Sequence, residues 1–162
     1  MRLGKFQTFI VSLVLCFSAA ALGSAFTNSQ IATWYAHLHK ASFNPPNWIF
    51  GPVWTLLYIL MAISLYIIWT TKSGKRGIAQ ARHDGQLYFF VQLLFNCLWS
   101  LVFFGLHAPL AAFVVIVALW ISIFLTIKKF WIVSTLAGKL LLPYILWVSF
   151  ASILNLSVVL LN

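Results

Sequence analysis

Five stretches without a charged residue divide this chain, each about as long as the roughly 20 residues a helix needs to cross a bilayer. They lie near 6–26, 52–70, 86–106, 109–127 and 140–161. Lipid offers no partners for open backbone groups, so runs of this kind satisfy themselves only as helices. The expectation is an all-α integral membrane protein, a five-transmembrane-helix bundle, with residues 1–162 as a single membrane domain. Composition agrees: 63% of residues are hydrophobic and 7% charged, more apolar surface than a soluble core of this size absorbs. The run from Phe130 to Gly138, between Lys129 and Lys139, is too short to span and is expected at the interface.

With five spans the termini face opposite sides, and the charges orient them. Arg2, Lys5, Lys72, Lys75, Arg76, Arg82, Lys128, Lys129 and Lys139 fall on the N-terminal side, and Lys40 alone on the other. By the positive-inside rule the amino terminus is cytoplasmic in a bacterial cell envelope membrane, with the loop around Lys40 outside. The formal charge of +9, with Asp84 as the one acid, is therefore juxtamembrane charge. It is not gathered on a folded polar face, as nucleic-acid binding requires. Arg2, Lys5 and Leu22-Gly23-Ser24-Ala25 mimic a cleavable signal peptide, yet the apolar run is about twice as long as a signal core of about 7–15 residues. That length favours a retained span.

Spacing assigns faces. Trp54, Tyr58, Met61, Ala62 and Leu65 share one face of the second span, and Gln92, Asn96, Trp99 and Phe103 one face of the third. Pro143, Trp147, Phe150, Ala151 and Leu154 do so in the fifth, with Asn155 close by. The first span carries a small-residue stripe, Ser12, Cys16, Ala19 and Gly23, and the fourth scatters Ala111, Ala118 and Ser122, so both are expected to be packing elements. Trp34, Trp48, Trp69 and Trp131 fall near predicted interfaces and suit anchoring. For Trp54, Trp99 and Trp147 pocket lining and structural core both stand as readings. Asn96, an amide in hydrocarbon, either bridges helices or addresses a ligand.

Between the first two spans, Asn44-Pro45-Pro46-Asn47-Trp48 leads into Gly51-Pro52-Val53-Trp54. Proline fixes φ, so this loop is stiff, and its aromatic content suits a lid over a membrane pocket. No acid or base lies in the middle of any span, which argues against a proton-coupled transporter. No carboxylate pair, nucleophile with a base or phosphate loop is visible, so no conventional catalytic residue is assigned. Cys16 and Cys97 lack partner spacing, and His37, His39, His83 and His107 read as solvated or interfacial, so no metal site is assigned. Lys139, Tyr144 and Leu146 fit a loose reversed sterol pattern that arises often by chance.

Taken in order, the motifs resemble the translocator protein family, also called tryptophan-rich sensory proteins and peripheral-type benzodiazepine receptors. The residues that carry the resemblance are Asn44-Pro45-Pro46, Pro52-Val53-Trp54-Thr55-Leu56-Leu57-Tyr58 and Trp69, then Asn96-Cys97-Leu98-Trp99-Ser100 with Phe103-Phe104-Gly105. Leu142-Pro143-Tyr144-Ile145-Leu146-Trp147, Phe150-Ala151 and Leu154-Asn155 complete the set. The resemblance implies a five-helix bundle, commonly a homodimer, that takes porphyrins such as protoporphyrin or haem as ligands and needs no cofactor of its own. Animal members also bind cholesterol and synthetic drugs, and the eukaryotic setting is the outer mitochondrial membrane. Carried over by motif, Trp34 and Tyr35 belong to the loop side of the pocket, Trp54 and Tyr58 to the second helix, and Asn96 and Trp99 to the third. Trp147, Ala151 and Leu154 belong to the fifth. Some bacterial members are similar to light-dependent porphyrin-degrading proteins, for which Trp54 and Trp147 hold the implicated positions. The chain departs from the family pattern at Ala41, after Lys40, and at Phe43, where a tryptophan is common. It also lacks the C-terminal sterol-recognition segment of animal members.

Overall fold

A computed structural model describes residues 4–72 and 75–162. Among these every regular element is helical: α1 (Lys5–Ile31), α2 (Trp34–His37), α3 (Phe50–Thr70), α4 (Arg76–Ser100), α5 (Pro109–Val133), α6 (Thr135–Leu140) and α7 (Leu142–Leu161). Five helical segments are long and apolar enough to span, the last made of α6 and α7 together. The protein is an integral multi-pass helical bundle. Arg2, used above to orient the chain, lies outside the described residues.

Local chemistry explains the boundaries. Gln7 reaches back to the Gly4 amide (2.9 Å) at the start of α1. Pro109 and Pro143 occupy the first turns of α5 and α7, where a missing N–H costs nothing. A π-helical turn, Leu101–Gly105, ends α4, and His107 with φ of 51° reverses the chain into α5. Ser134 breaks the run after α5 and caps α6, accepting from the Ala137 amide.

The expected spans are all present, and several run beyond their expected bounds, α4 and α5 most tellingly. α4 begins ten residues before the expected 86, because Ala81, Gly85 and Phe89 bury a small-residue seam against α5. Asp84, which lies outside the expected span, sits on this helix and accepts from Lys129 Nζ (2.8 Å) and Gln80 Nε2 (2.7 Å). α5 in turn runs past residue 127 to Val133. The segment expected at the interface therefore enters the core: Phe130 is fully buried and stacks on Phe89 at 5.7 Å. A hydropathy scan cuts the helix at Lys128 and Lys129, whereas the backbone only needs those two heads to reach polar partners or solvent.

Packing at this basic end is tight. A Cβ on Gly85 would stand 2.8 Å from the Phe130 ring, and one on Gly138 would stand 2.7 Å from Trp131. Ser64 donates to the Ala137 carbonyl (2.8 Å), joining α3 to α6. On α1 the stripe Ser12, Cys16, Ala19 and Gly23 is the buried face, as expected of a packing helix. On α5 Ser122 is buried as expected, and the inward alanine is Ala112, with Ala111 exposed. On α7 it is Tyr144, fully buried, that faces inward, while Pro143 is exposed.

Candidate functional site

Toward the opposite end, where the Pro-Pro loop lies, α1, α3, α4 and α7 separate around a cavity of about 620 Å³. Tyr35, Trp54, Tyr58, Asn96, Trp99, Trp147, Ala151 and Leu154 all line it. Trp34, grouped with them by motif, does not. Its ring lies behind the wall, stacked on His107 at 4.4 Å and edge-on to Phe103 at 5.5 Å.

The floor is a closed hydrogen-bond chain. The Tyr58 hydroxyl donates to Asn96 Oδ1, Asn96 Nδ2 donates to the Tyr144 hydroxyl (3.1 Å), and that hydroxyl donates to Gln92 Oε1 (2.8 Å). Gln92 Nε2 ends on Met61 Sδ at 3.8 Å. A buried amide without partners would cost roughly 2–7 kcal/mol, so this chain is what allows Asn96 and Gln92 inside. Both readings of Asn96 meet here: it bridges α3, α4 and α7, and it borders the cavity.

The wall opposite is anchored by Trp99, whose Nε1 donates to Asn155 Oδ1 (3.0 Å). Asn155 Nδ2 continues to the Pro109 carbonyl (2.8 Å), which ties α4, α5 and α7 together. Phe103 stacks on Trp99 at 5.2 Å and thickens this wall. Trp147 differs: its Nε1 is the one buried side-chain polar atom without a partner among the described residues.

The loop closes the outer end. Tyr35 is buried, and its hydroxyl donates to Asn44 Oδ1 (3.1 Å). Burial pushes this phenol above its ordinary value, opposed by the bond to Asn44. Lys40 Nζ donates to the carbonyls of Tyr35 (2.7 Å), Leu38 (2.9 Å) and Ala36 (3.3 Å) and lies 4.8 Å from the Tyr35 ring centre. Asn162 grips the His39 backbone twice, accepting its N–H and donating to its carbonyl, both at 3.0 Å.

Sequence reasoning missed part of the wall. Ala20, Gly23 and Thr27 of α1 line the cavity, although α1 reads as packing alone. Gly23 does both, since a Cβ there would meet Ser100 Oγ at 3.2 Å. Trp48, assigned to anchoring, stands at the mouth, 73% exposed. Phe103 and Phe104 complete the outer wall, and the Phe-Phe-Gly motif was the available signal. No Lys, Arg, His, Asp or Glu is among the lining residues. Cys16 and Cys97 are free thiols, and among the described residues no cluster of three or more His, Cys, Asp or Glu could hold a metal ion.

Five membrane-length helices, four of them walling an aromatic-lined cavity, define a multi-pass membrane protein with an internal, ligand-sized chamber. The chain belongs to the TspO/MBR family, whose profile matches residues 12–161. It is 45% identical over 153 residues to the tryptophan-rich protein TspO of Archaeoglobus fulgidus, covering 94% of this chain and 95% of the relative. It is 40% identical over 154 residues to protein CrtK of Rhodobacter capsulatus, covering 95% and 92%. Against the human translocator protein it is 34% identical over 137 residues, covering 83% and 78%.

Proposed function

We propose that this protein binds porphyrins or related tetrapyrroles between its helices and serves their transport, sensing or disposal. The observation that carries this reading is the cavity, about 620 Å³ and walled by Trp54, Tyr58, Trp99, Phe103 and Trp147. A flat macrocycle gains most of its affinity from stacking and apolar burial, which such a chamber supplies. Its carboxylates belong at the mouth, beside Asn28, Asn47 and Trp48, because the lining residues carry no cation. Lys40, the one cation of the loop, is engaged by three backbone carbonyls, so its part is to hold the lid. The orientation proposed is amino terminus cytoplasmic, and the assembly a homodimer in the bilayer.

The test is a dark titration with protoporphyrin in lipid nanodiscs, following tryptophan quenching, beside the Trp54→Phe/Trp147→Phe variant. Saturable quenching that weakens in the variant supports the pocket. Linear quenching identical in both would show partition into lipid and remove the reading. A second reading, photo-oxidative breakdown of the bound porphyrin with dissolved dioxygen as the oxidant, is favoured by Trp54 and Trp147 lining one cavity. It expects ligand loss in light alone, abolished in the double variant; loss that persists there excludes these two indoles.

A further inference from the structure

Trp147 stands in two walls at once. One is the cavity; the other is an apolar groove of about 450 Å³ between α3 and α7, formed with Val53, Leu56, Leu57, Pro143, Leu146 and Phe150. Trp147 is the one residue the two hollows share. Leu56 and Leu146 on the rim are 55% and 70% exposed, and both lie on membrane-spanning segments, so the groove opens to lipid chains. At this point the two hollows meet at one indole.

Among the described residues, that indole is also the one whose N–H is buried without a polar tether. Trp99 is tethered through Nε1 to Asn155 (3.0 Å), and Trp120 through Nε1 to Ser149 (2.9 Å). Trp147 Nε1 is buried and has no partner among the described residues. Its ring neighbours are Phe50 at 5.9 Å and Phe150 at 5.7 Å, neither with a conventional acceptor. A buried donor without an acceptor is a cost, so nothing polar holds this rotamer against its alternatives. With hollows on two sides, the ring packs against the core along only part of its surface.

We propose that the α3–α7 groove is a port through which flat, membrane-dissolved lipophiles pass between the bilayer and the cavity, with Trp147 as its moving wall. The identity of the lipophile rests on the tetrapyrrole reading above; the port itself does not. An acceptor atom on the passing molecule would satisfy the indole N–H that the resting protein leaves unmatched.

Two measurements test this. The first needs no ligand: protein labelled with ¹⁵N at the tryptophan indoles, in nanodiscs with and without lipids spin-labelled on the acyl chain. The Trp147 signal is expected to show microsecond-to-millisecond exchange and strong broadening by the spin label, with Trp99 showing neither. A Trp147 signal as sharp and as shielded as that of Trp99 would overturn the port. The second fills the groove from its lipid side with Leu56→Trp, a position already exposed. Protoporphyrin uptake from the nanodisc and its release should both slow about tenfold with the affinity unchanged, the signature of a raised barrier alone. Unchanged rates in a variant that still binds would also overturn it. Absence of saturable binding to the unaltered protein would sink the tetrapyrrole reading instead, and the first measurement would still decide the port.

Discussion

The two ends of the bundle solve opposite problems with the same kinds of residue. At the basic end, aromatic rings meet glycines: Phe130 presses on Gly85 and Trp131 on Gly138, so that backbones close up. At the loop end, aromatic rings meet aromatic rings across four helices, and the space between them stays open. An aromatic residue in this protein is thus a wedge or a wall according to the size of what faces it. The contrast teaches that tryptophan content alone does not mark the pocket; what each ring faces decides it.

That comparison can be broken directly. Gly85→Val should cost about 1–3 kcal/mol of stability, the usual penalty for overpacking a filled core, read as earlier thermal unfolding in detergent or nanodisc. Gly51→Ala, at the cavity, should be close to neutral, because a Cβ there meets nothing within 4 Å. Equal losses at both positions would show that the loop end is as tightly packed as the basic end.

The floor should respond next. Tyr144→Phe strands the Gln92 acceptor and removes a partner from Asn96, and should cost about 1–3 kcal/mol while leaving the cavity its shape. A smaller loss would mean that water enters the floor from the chamber. The lid is expected to be more forgiving. Lys40→Met releases three carbonyls near the surface and should speed ligand release severalfold with little change in global unfolding. Unchanged release would assign closure to the Asn162 clasp or the proline pair.

Smaller effects remain at each end. Asp84→Asn removes the α4–α5 ion pair with Lys129, and because that pair is partly exposed its small stabilisation should vanish at high salt. For Tyr35 the sign runs the other way from an acid-labile contact. Its phenol is raised above the ordinary value of 10.0, so its contribution is whole below that pH and is lost as pH rises through the shifted value. Ligand release should therefore be constant across the neutral range and accelerate only in alkali.

Much of the site was legible from helical periodicity. Tyr58 and Asn96 were expected on inward faces, and they are hydrogen-bonded to one another across α3 and α4. Trp54, Trp99 and Trp147 were left open between wall and core, and all three line the cavity while packing against the core beside it. Trp34 shows the limit: its neighbour Tyr35 turns inward while Trp34 packs on His107, from a chain position 73 residues away. Phe130 shows a second, because two lysines made a continuing helix look finished.

What the sequence determined by itself were the five spans, the charge bias between their ends and the registers of the faces that carry small or polar groups. These are properties of one segment and its solvent, set by hydropathy and by 3.6 residues per turn. Only the tertiary structure decided which apolar faces meet protein, which meet lipid and which meet empty space. In water an apolar face must turn inward, but in a bilayer both directions are apolar, so hydrophobicity no longer says which way a side chain points. Whether Trp147 is a wall, and against what, was therefore settled by how α3 packs beside α7 rather than by α7 alone.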